Sequence, residues 1–294
     1  LRTVEAALES AGKQSQAARK LLPDLLAPVG RSALMQGLRE RVQQYARHEG
    51  SVLISGEPGT GRGAFARYMH GLSRRGGEPL TTLTAALVTD DNCQEQLLGS
   101  EQDGEAIAGA FERASGGTLV IDELTDLGKK AQKILFGVLE TGGYTRVGGS
   151  QPIAVDARVV ATVGADYEAK VESGELRRDL VSHLGELKLR VPPLREYAED
   201  VPELLTHYVD KLVDAEGLTF RRFSVAAQNR LRNYPWPDNV HELKNLVRRL
   251  LLSGSDEDIS LEEVEAEISA EGPVDESLVK QDLLALPLRE AREH

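Results

Sequence analysis

Cysteine, basic charge and long hydrophobic runs are all scarce in this sequence, and each shortage excludes a class of protein. Cys93 is the only cysteine among the 294 residues, so an intrachain disulfide is impossible and a thiolate metal site is not expected. So few cysteines are typical of a reducing compartment, and we expect a cytoplasmic protein. No apolar stretch approaches the length of a membrane span, so no contact with a membrane is predicted.

Acidic residues outnumber basic ones by 47 to 35, which leaves a net charge of −12. Binding to duplex DNA requires a basic surface, so this stretch of chain is not predicted to contact DNA itself. Part of the excess is local, because residues 256–277 contain ten acidic side chains and no basic one. We interpret that stretch as a solvated acidic helix followed by a linker.

Segments with strand character alternate with helical segments over the first two thirds of the chain. The predicted strands are residues 52–55, 80–84, 118–121, 158–163 and 186–191, and the helices among them include residues 30–48, 64–73 and 129–140. This alternation predicts an α/β fold, with a mostly parallel five-stranded sheet between helices.

After Pro192 and Pro193 only helical patterns remain, at residues 199–214, 224–233, 239–252 and 260–269. We therefore predict a domain boundary near residue 194. The expected parts are a connector helix, an α/β part, a small all-helical part and an acidic linker, over residues 1–29, 30–193, 194–255 and 256–294.

The segment from Ser51 to Gly63 reads SVLISGEPGTGRG and has the layout of a phosphate-binding loop. An apolar strand runs into Gly56, four residues intervene, and Gly61 precedes a helical pattern that begins at Ala64. In this layout backbone N–H groups surround a polyphosphate and the helix N-terminus faces its negative charge. The usual lysine and serine or threonine are replaced by Arg62 and Gly63. The candidate nucleotide contacts are Gly56, Glu57, Pro58, Gly59, Thr60, Gly61, Arg62 and Gly63.

Two acidic residues, Asp122 and Glu123, follow the apolar segment that ends at Ile121. Downstream of a phosphate loop, such a pair has a known chemical use. The first carboxylate holds Mg²⁺ through water beside the β- and γ-phosphates, and the second polarises the attacking water. The alternative is a helix cap, because acidic residues after a strand often begin a helix.

Several further motifs occur in a fixed order along the chain. They are Gly30–Met35, the phosphate loop, Gly109–Leu124, Arg146–Gly149, Val191–Arg195 and Tyr234–Val240. Together they resemble the central AAA+ domain of NtrC-type bacterial enhancer-binding proteins, which act on sigma-54 RNA polymerase. The resemblance covers nearly all of residues 30–252.

The resemblance implies an AAA+ P-loop NTPase fold with a helical lid, ATP or ADP with Mg²⁺ as cofactors, and self-association into a homo-oligomer. Arg177 matches the first arginine that acts across the subunit interface, and His241 stands where the lid has its arginine. Leu1–Leu8 is similar to the last helix of a receiver domain, and Leu286–His294 to the entry into a Fis-type helix-turn-helix domain, most like the NtrX branch. A sensor kinase and DNA would therefore be contacted through domains outside this chain.

The chain departs from the family pattern in two ways. The loop that contacts sigma-54 carries the motif GAFTGA, whereas here only residues 100–108 separate Gly99 from Gly109, and they contain no such motif. The resemblance therefore implies that the sigma-54 contact is lost, although another sequence could do the same work. Five nucleotide-contacting positions differ as well. Arg62 and His241 are two of them, Thr84 or its neighbour replaces an asparagine that restrains Glu123, and Val163 replaces a sensor asparagine. His183 stands in place of the second trans-acting arginine.

Each departure alone could be tolerated drift, but five together argue against selection for hydrolysis. One oxyanion-type donor is worth roughly 10²–10³ in rate and an arginine finger about 10³–10⁵. Binding depends less on these side chains, because the loop amides remain. We therefore predict a regulator that binds ATP or ADP and hydrolyses it weakly or not at all. An active ATPase that remodels RNA polymerase, and a scaffold that ignores ATP or senses a cyclic dinucleotide, remain as alternatives.

Overall fold

The structure is a computed structural model that describes residues 27–270, except residues 103 and 255. The predicted connector helix up to residue 26, and the predicted linker and helix beyond residue 270, lie outside the described residues.

Eleven strands lie in the described part of the chain. They are β1 (Val52–Ser55), β2 (Leu80–Thr84), β3 (Ser100–Gln102), β4 (Glu105–Ile107), β5 (Thr118–Asp122), β6 (Gly143–Thr145), β7 (Pro152–Ala154), β8 (Arg158–Val163), β9 (Leu187–Arg190), β10 (Arg222–Phe223) and β11 (Asp258–Ile259).

The α-helices of the described residues follow in the same numbering. They are α1 (Ala33–Ala46), α2 (Arg62–Leu72), α3 (Cys93–Leu98), α4 (Ala110–Arg113), α5 (Lys129–Thr141), α6 (Tyr167–Glu172), α7 (Arg178–Leu184), α8 (Val201–Glu216), α9 (Val225–Arg232), α10 (Asn239–Ser253) and α11 (Leu261–Ala270). Short 3₁₀ turns span Ala85–Leu87, Leu124–Asp126 and Leu194–Asp200. We call α8 to α11 the lid. No helix among these residues is both long and apolar enough to cross a membrane.

The central sheet has five strands in the order β2-β5-β8-β1-β9, and all its pairs are parallel. This confirms the predicted α/β fold with a parallel five-stranded sheet between helices. Successive side chains of a strand point to opposite faces, so Val120 and Val160 pack with α1, α2 and the lid, whereas Leu119 and Ala161 pack with α3 to α7. The apolar side chains of every central strand are covered on both faces.

The predicted boundaries differ from the observed ones by a few residues. Helix α2 begins at Arg62 rather than at Ala64, because Gly61 adopts a left-handed backbone (φ 89°) and is the N-cap. No apolar side chain at positions 62 and 63 marks that first turn. The hairpins β3–β4 and β6–β7 were not predicted, since strands of three residues are too short for a periodic pattern.

The acidic segment after residue 256 is packed rather than solvated as far as residue 270. Val264 of α11 is buried, and three lid arginines pair with acidic residues of this helix: Arg221 with Glu263, Arg230 with Glu265 and Arg249 with Glu267. The sequence interpretation missed these pairs because the arginines lie 18 to 42 residues away in the chain.

Candidate nucleotide-binding site

The phosphate-binding loop connects β1 to α2, and its glycines are required by close backbone approaches. A side chain at Gly56 would lie 2.9 Å from the Val191 carbonyl oxygen, and one at Gly59 would lie 2.1 Å from the Asp238 carbonyl oxygen. Gly59 and Gly61 both have positive φ, at 76° and 89°. Thr60 is buried, and its hydroxyl donates to the Glu57 carbonyl. The loop therefore has the shape that the motif predicts.

Arg62 does not point freely into the loop, because its guanidinium is paired with Glu123. Nη1 and Nη2 of Arg62 lie 3.2 and 2.5 Å from the two carboxylate oxygens of Glu123. The Arg62 side chain is only 12% exposed and the Glu123 side chain 29%. Thr125 donates a further hydrogen bond to Oε1 of Glu123 at 3.2 Å. The carboxylate that would polarise water is thus already occupied by donors from its own chain.

Asp122 and Glu123 lie at the end of β5, where Glu123 contacts Arg62 at the start of α2. The Thr162 hydroxyl of the neighbouring strand β8 donates to Asp122 Oδ1 at 2.9 Å and accepts from the Glu123 N–H at 2.9 Å. Glu123 has a left-handed backbone (φ 59°), which is uncommon outside glycine and turns the two carboxylates apart. The alternative of a helix cap is not supported for Glu123, whose side chain makes no capping hydrogen bond.

Two positions that the resemblance suggested lie elsewhere. Val163 is fully buried among the side chains on the opposite face of the sheet, because strand residues alternate. Gly164 follows it, and a Cβ added there would lie 2.6 Å from Asp166 Oδ1 and 3.9 Å from Glu123 Oε1. Thr84 ends β2 with an exposed side chain, and Glu123 is held instead by Arg62 and Thr125.

The lid docks directly on the phosphate-binding loop. Asn239, fully buried, donates to the Pro58 carbonyl at 2.9 Å and accepts from the Leu194 N–H at 2.8 Å. The backbone N–H of His241 donates to the Gly59 carbonyl, although the His241 side chain is exposed. His241 therefore lies at the loop, as predicted.

Glu57 extends the contact between the loop and the segment that enters the lid. Its carboxylate accepts two hydrogen bonds from Arg195, at 2.7 and 2.5 Å. These bonds hold the pKa of Glu57 below its usual value, and the Asn239 amide lowers it further.

A cleft, open to solvent, lies between α2 and the lid. Its walls are residues 27–29 with the start of α1, the end of the loop with the start of α2, the segment before α8, α8 itself and the start of α10. They comprise Ala27, Pro28, Val29, Met35, Thr60, Gly61, Ala64, Phe65, Arg67, Tyr197, Leu204, His207, Tyr208, Lys211 and Val240. The cleft opens onto Thr60 and Gly61 of the phosphate-binding loop.

Sequence reasoning missed most of the cleft-lining side chains. The sequence shows no ligand spacing around His207, yet this residue lines the cleft together with Leu204, Tyr208 and Lys211. These four positions are i, i+3, i+4 and i+7 on α8, so helical spacing alone places them on one face. The sequence could therefore have grouped them, but only the fold shows that this face meets the phosphate loop.

Arg177 lies apart from this site, on the turn before α7. Its guanidinium is paired with Asp179 at 3.0 and 2.6 Å and lies 5.5 Å from the centre of the Phe136 ring. Its backbone N–H donates to the buried Gln132 side chain at 2.9 Å. His183 contacts the same Phe136 ring. The structure does not bring Arg177 to the phosphate loop of its own chain.

Asp122 is the predicted magnesium ligand, through water. Among the described residues, no group of three or more His, Cys, Asp or Glu side chains is arranged to hold a metal ion. Gly63 has no hydroxyl to offer a metal ion, so Asp122 remains the predicted contact.

Comparison with protein families gives two matches along the chain. The family described as "Sigma-54 interaction domain" matches residues 28–190. The family described as "AAA+ ATPase lid domain" matches residues 195–281.

Individual relatives give the same result. The transcriptional regulator NtrC of Rhizobium meliloti is 38% identical over 250 residues, which cover 83% of this chain and 51% of NtrC. The nitrogen assimilation regulator NtrX of Azorhizobium caulinodans is 35% identical over 271 residues, covering 90% of this chain and 60% of NtrX. The chain thus spans about half to three fifths of the length of these curated relatives.

Solved structures of NtrX from Brucella abortus have the same fold. The complex with ADP superposes with a TM-score of 0.76 at 30% identity, covering 99% of this chain and 65% of that one. The complex with ATP superposes with a TM-score of 0.75 at 29% identity, covering 97% and 65%.

Proposed function

The chain belongs to the family of sigma-54 interaction domains, the central AAA+ domains of NtrC- and NtrX-type transcription regulators, and on that basis we propose a finer function. The domain binds ATP or ADP, hydrolyses it weakly or not at all, and mediates self-association of the regulator. The observation that carries the proposal is the ion pair between Arg62 of the phosphate loop and Glu123 of β5.

The ion pair opposes hydrolysis because it occupies both catalytic groups at once. Glu123 can polarise water only if it releases Arg62, and Arg62 can reach a phosphate only if it releases Glu123. An exposed pair is worth about 0–1 kcal/mol, whereas removing one partner of a buried pair costs about 3–5 kcal/mol. This pair is partly buried, so the cost of opening it lies between those limits and adds to every catalytic cycle.

Binding is supported by parts of the site that do not depend on Arg62. The loop backbone, the N-terminus of α2 and the adjoining cleft all remain. Relatives of the same fold have been solved with ADP and with ATP, as their descriptions state. If Mg²⁺ accompanies the nucleotide, Asp122 would hold it through water, and the ion would neutralise phosphate charge.

Strands β3 and β4 support the loss of the sigma-54 contact. Residues 100–102 pair antiparallel with residues 105–107, and Ser100 is also bridged to Val147. We infer that any contact with RNA polymerase uses another surface. Within the whole regulator, DNA and a sensor kinase would be contacted through a helix-turn-helix and a receiver domain, and the protein would act in the cytoplasm.

The first prediction concerns nucleotide affinity and turnover. Calorimetry on the chain is expected to show ADP and ATP binding, with phosphate release at least roughly 10²-fold below the usual turnover of about 1–10³ s⁻¹. Glu123→Gln should tighten ADP binding, because it removes a negative charge and frees Arg62. Arg62→Lys should also tighten it, because an ammonium cannot hold both carboxylate oxygens in the same way. The exposed Glu95→Gln is the matched control.

Three outcomes would contradict this function. No heat of binding at millimolar ADP or ATP would exclude a nucleotide-binding regulator. Brisk magnesium-dependent phosphate release that Glu123→Gln abolishes would establish the active ATPase. Thermal stabilisation by a cyclic dinucleotide but not by ATP would favour the scaffold.

A further inference from the structure

The cleft beside the phosphate loop has an unusual charge for this chain. Its lining includes Arg67, Lys211 and the imidazole of His207, and no carboxylate. The chain as a whole carries a net charge of −12. Most of the other lining residues are apolar or aromatic, so the charge that the cleft does carry is positive and favours an anionic group on the ligand.

Arg67 lies where the phosphates of a nucleotide are expected. It is one turn along α2 from Gly63, on the same face of the helix. A Cβ added to Gly63 would have Arg67 Nη1 as its nearest neighbour, at 3.6 Å. Position 63 is the one at which phosphate-binding loops normally carry a hydroxyl for the metal ion next to the phosphates. The missing side chain at Gly63 therefore leaves an open space that the Arg67 guanidinium borders.

Lys211 faces the same cleft from the lid. It follows His207 by one turn of α8, and both line the wall opposite α2. Burial lowers the pKa of His207, and the nearby Lys211 ammonium lowers it further, whereas Asp210 and Glu203 oppose the shift. Lys211 is the charged side chain that the lid contributes to this wall.

Neither cation is engaged elsewhere. Within residues 27–270 as the structure describes them, the Arg67 and Lys211 side chains make no ion pair and no hydrogen bond with the protein. In contrast, the Arg62 guanidinium is paired with Glu123. The positive charge available to a ligand is therefore displaced from the loop to the cleft.

We propose that Arg67 and Lys211 bind the phosphates of the nucleotide in this cleft, in place of Arg62. This assignment rests on the proposed nucleotide-binding function and names the side chains on which its affinity depends. Arg67 donates from the α2 side next to the N–H groups of the loop, and Lys211 donates from the lid. A bound nucleotide consequently joins the lid to α2 through its own negative charge.

The test measures binding of ADP and of adenosine to the whole chain by calorimetry at low salt. Arg67→Gln is expected to weaken ADP binding about tenfold or more, and Lys211→Gln about three- to tenfold, as for hydrogen bonds to charged groups. Adenosine binding should be unchanged in both, because the effect acts on phosphate charge. The exposed Lys133→Gln on α5 is the control for a lost surface charge.

The possible failures are distinct. If the unaltered chain binds no ADP, the proposed function itself fails. If the chain binds ADP but neither Arg67→Gln nor Lys211→Gln weakens it, the assignment of these side chains is overturned. If adenosine binding falls as much as ADP binding, the two side chains act on the nucleoside and the phosphate assignment is also overturned.

Discussion

At the scale of single residues, the arginine at position 62 of the phosphate loop changes which group the loop cation binds. A lysine at position 62 would present a compact ammonium to phosphate, whereas the planar fork of Arg62 matches the two oxygens of a carboxylate. Glu123 lies within reach because its left-handed backbone turns it toward the loop. An arginine in place of lysine at position 62 therefore keeps a positive charge in the loop but pairs that charge with Glu123, so it is not available to a ligand.

The second prediction concerns His70, a residue of α2 whose side chain contacts β5. Its Nδ1 is 2.8 Å from the Thr118 hydroxyl, and burial lowers its pKa. The Arg158 guanidinium on β8 lowers this pKa further, while a hydrogen bond to the Glu78 backbone opposes the shift. Because the folded value lies below the unfolded value of about 6.5, the unfolded state binds protons more readily. Stability should be complete above that pH and fall as the pH drops from about 6.5.

Urea denaturation between pH 7 and pH 5 checks this expectation. His70→Gln should lower stability at pH 7, because it disturbs the buried contact, but should make the loss toward pH 5 shallower. The exposed His48→Gln should leave both unchanged. Part of the slope will remain in His70→Gln, since burial also lowers the pKa of His207. An identical slope in the chain and in His70→Gln would rule out His70 as the cause.

At the scale of elements, the hairpin β3–β4 is held by a loop that follows β6. Arg146 pairs with Glu101 at 3.1 Å and with Glu112 at 3.0 and 2.7 Å. The Glu101 N–H donates to the Val147 carbonyl, and Gly148 approaches the Glu101 carbonyl so closely that an added Cβ would lie 2.5 Å from it. The base of the hairpin is therefore the place where β3, α4 and the loop after β6 meet.

The third prediction follows from this arrangement. Arg146→Met should release the base of the hairpin while the central sheet stays folded. Amide hydrogen exchange at Glu101 and Val147 is expected to become about tenfold faster, with no change in β5 or β8. Arg232→Met, at an exposed position on α9, serves as the control. Unchanged exchange at Glu101 would show that backbone pairing alone holds the hairpin.

At the scale of the whole molecule, the lid and the α/β part meet at the phosphate loop through Asn239. This residue has a left-handed backbone (φ 56°), is fully buried and bridges Pro58 to Leu194. The sole tryptophan, Trp236, lies three residues earlier, is fully buried and donates to the Leu231 carbonyl. Its fluorescence therefore reports on the lid.

The fourth prediction uses that reporter. Asn239→Ala should destabilise the lid by about 2–4 kcal/mol, because two hydrogen bonds are lost and alanine is strained at this φ. The fluorescence transition of Trp236 should then precede the loss of far-ultraviolet circular dichroism in urea. Asn233→Ala, exposed on the same lid, should keep the two transitions together. Coincident transitions in Asn239→Ala would mean that the lid and the sheet unfold as one unit without this bridge.

The motifs and periodic patterns of the sequence determined the AAA+ fold, the five strands and the positions of Gly56 to Gly63 and of Asp122 and Glu123. These features depend on local spacing and on apolar alternation, which a single chain displays directly. The glycines of the phosphate loop could also be predicted, because backbone approaches of this kind tolerate no side chain.

Only the tertiary structure decided which charges meet. Arg62 and Glu123 are 61 residues apart in the chain, and the arginines that neutralise α11 lie as far as 42 residues from their partners. These pairs share one physical reason. A charge pair or a cleft wall is formed by side chains of different elements, and the spacing of residues within one element does not predict which other element it will contact.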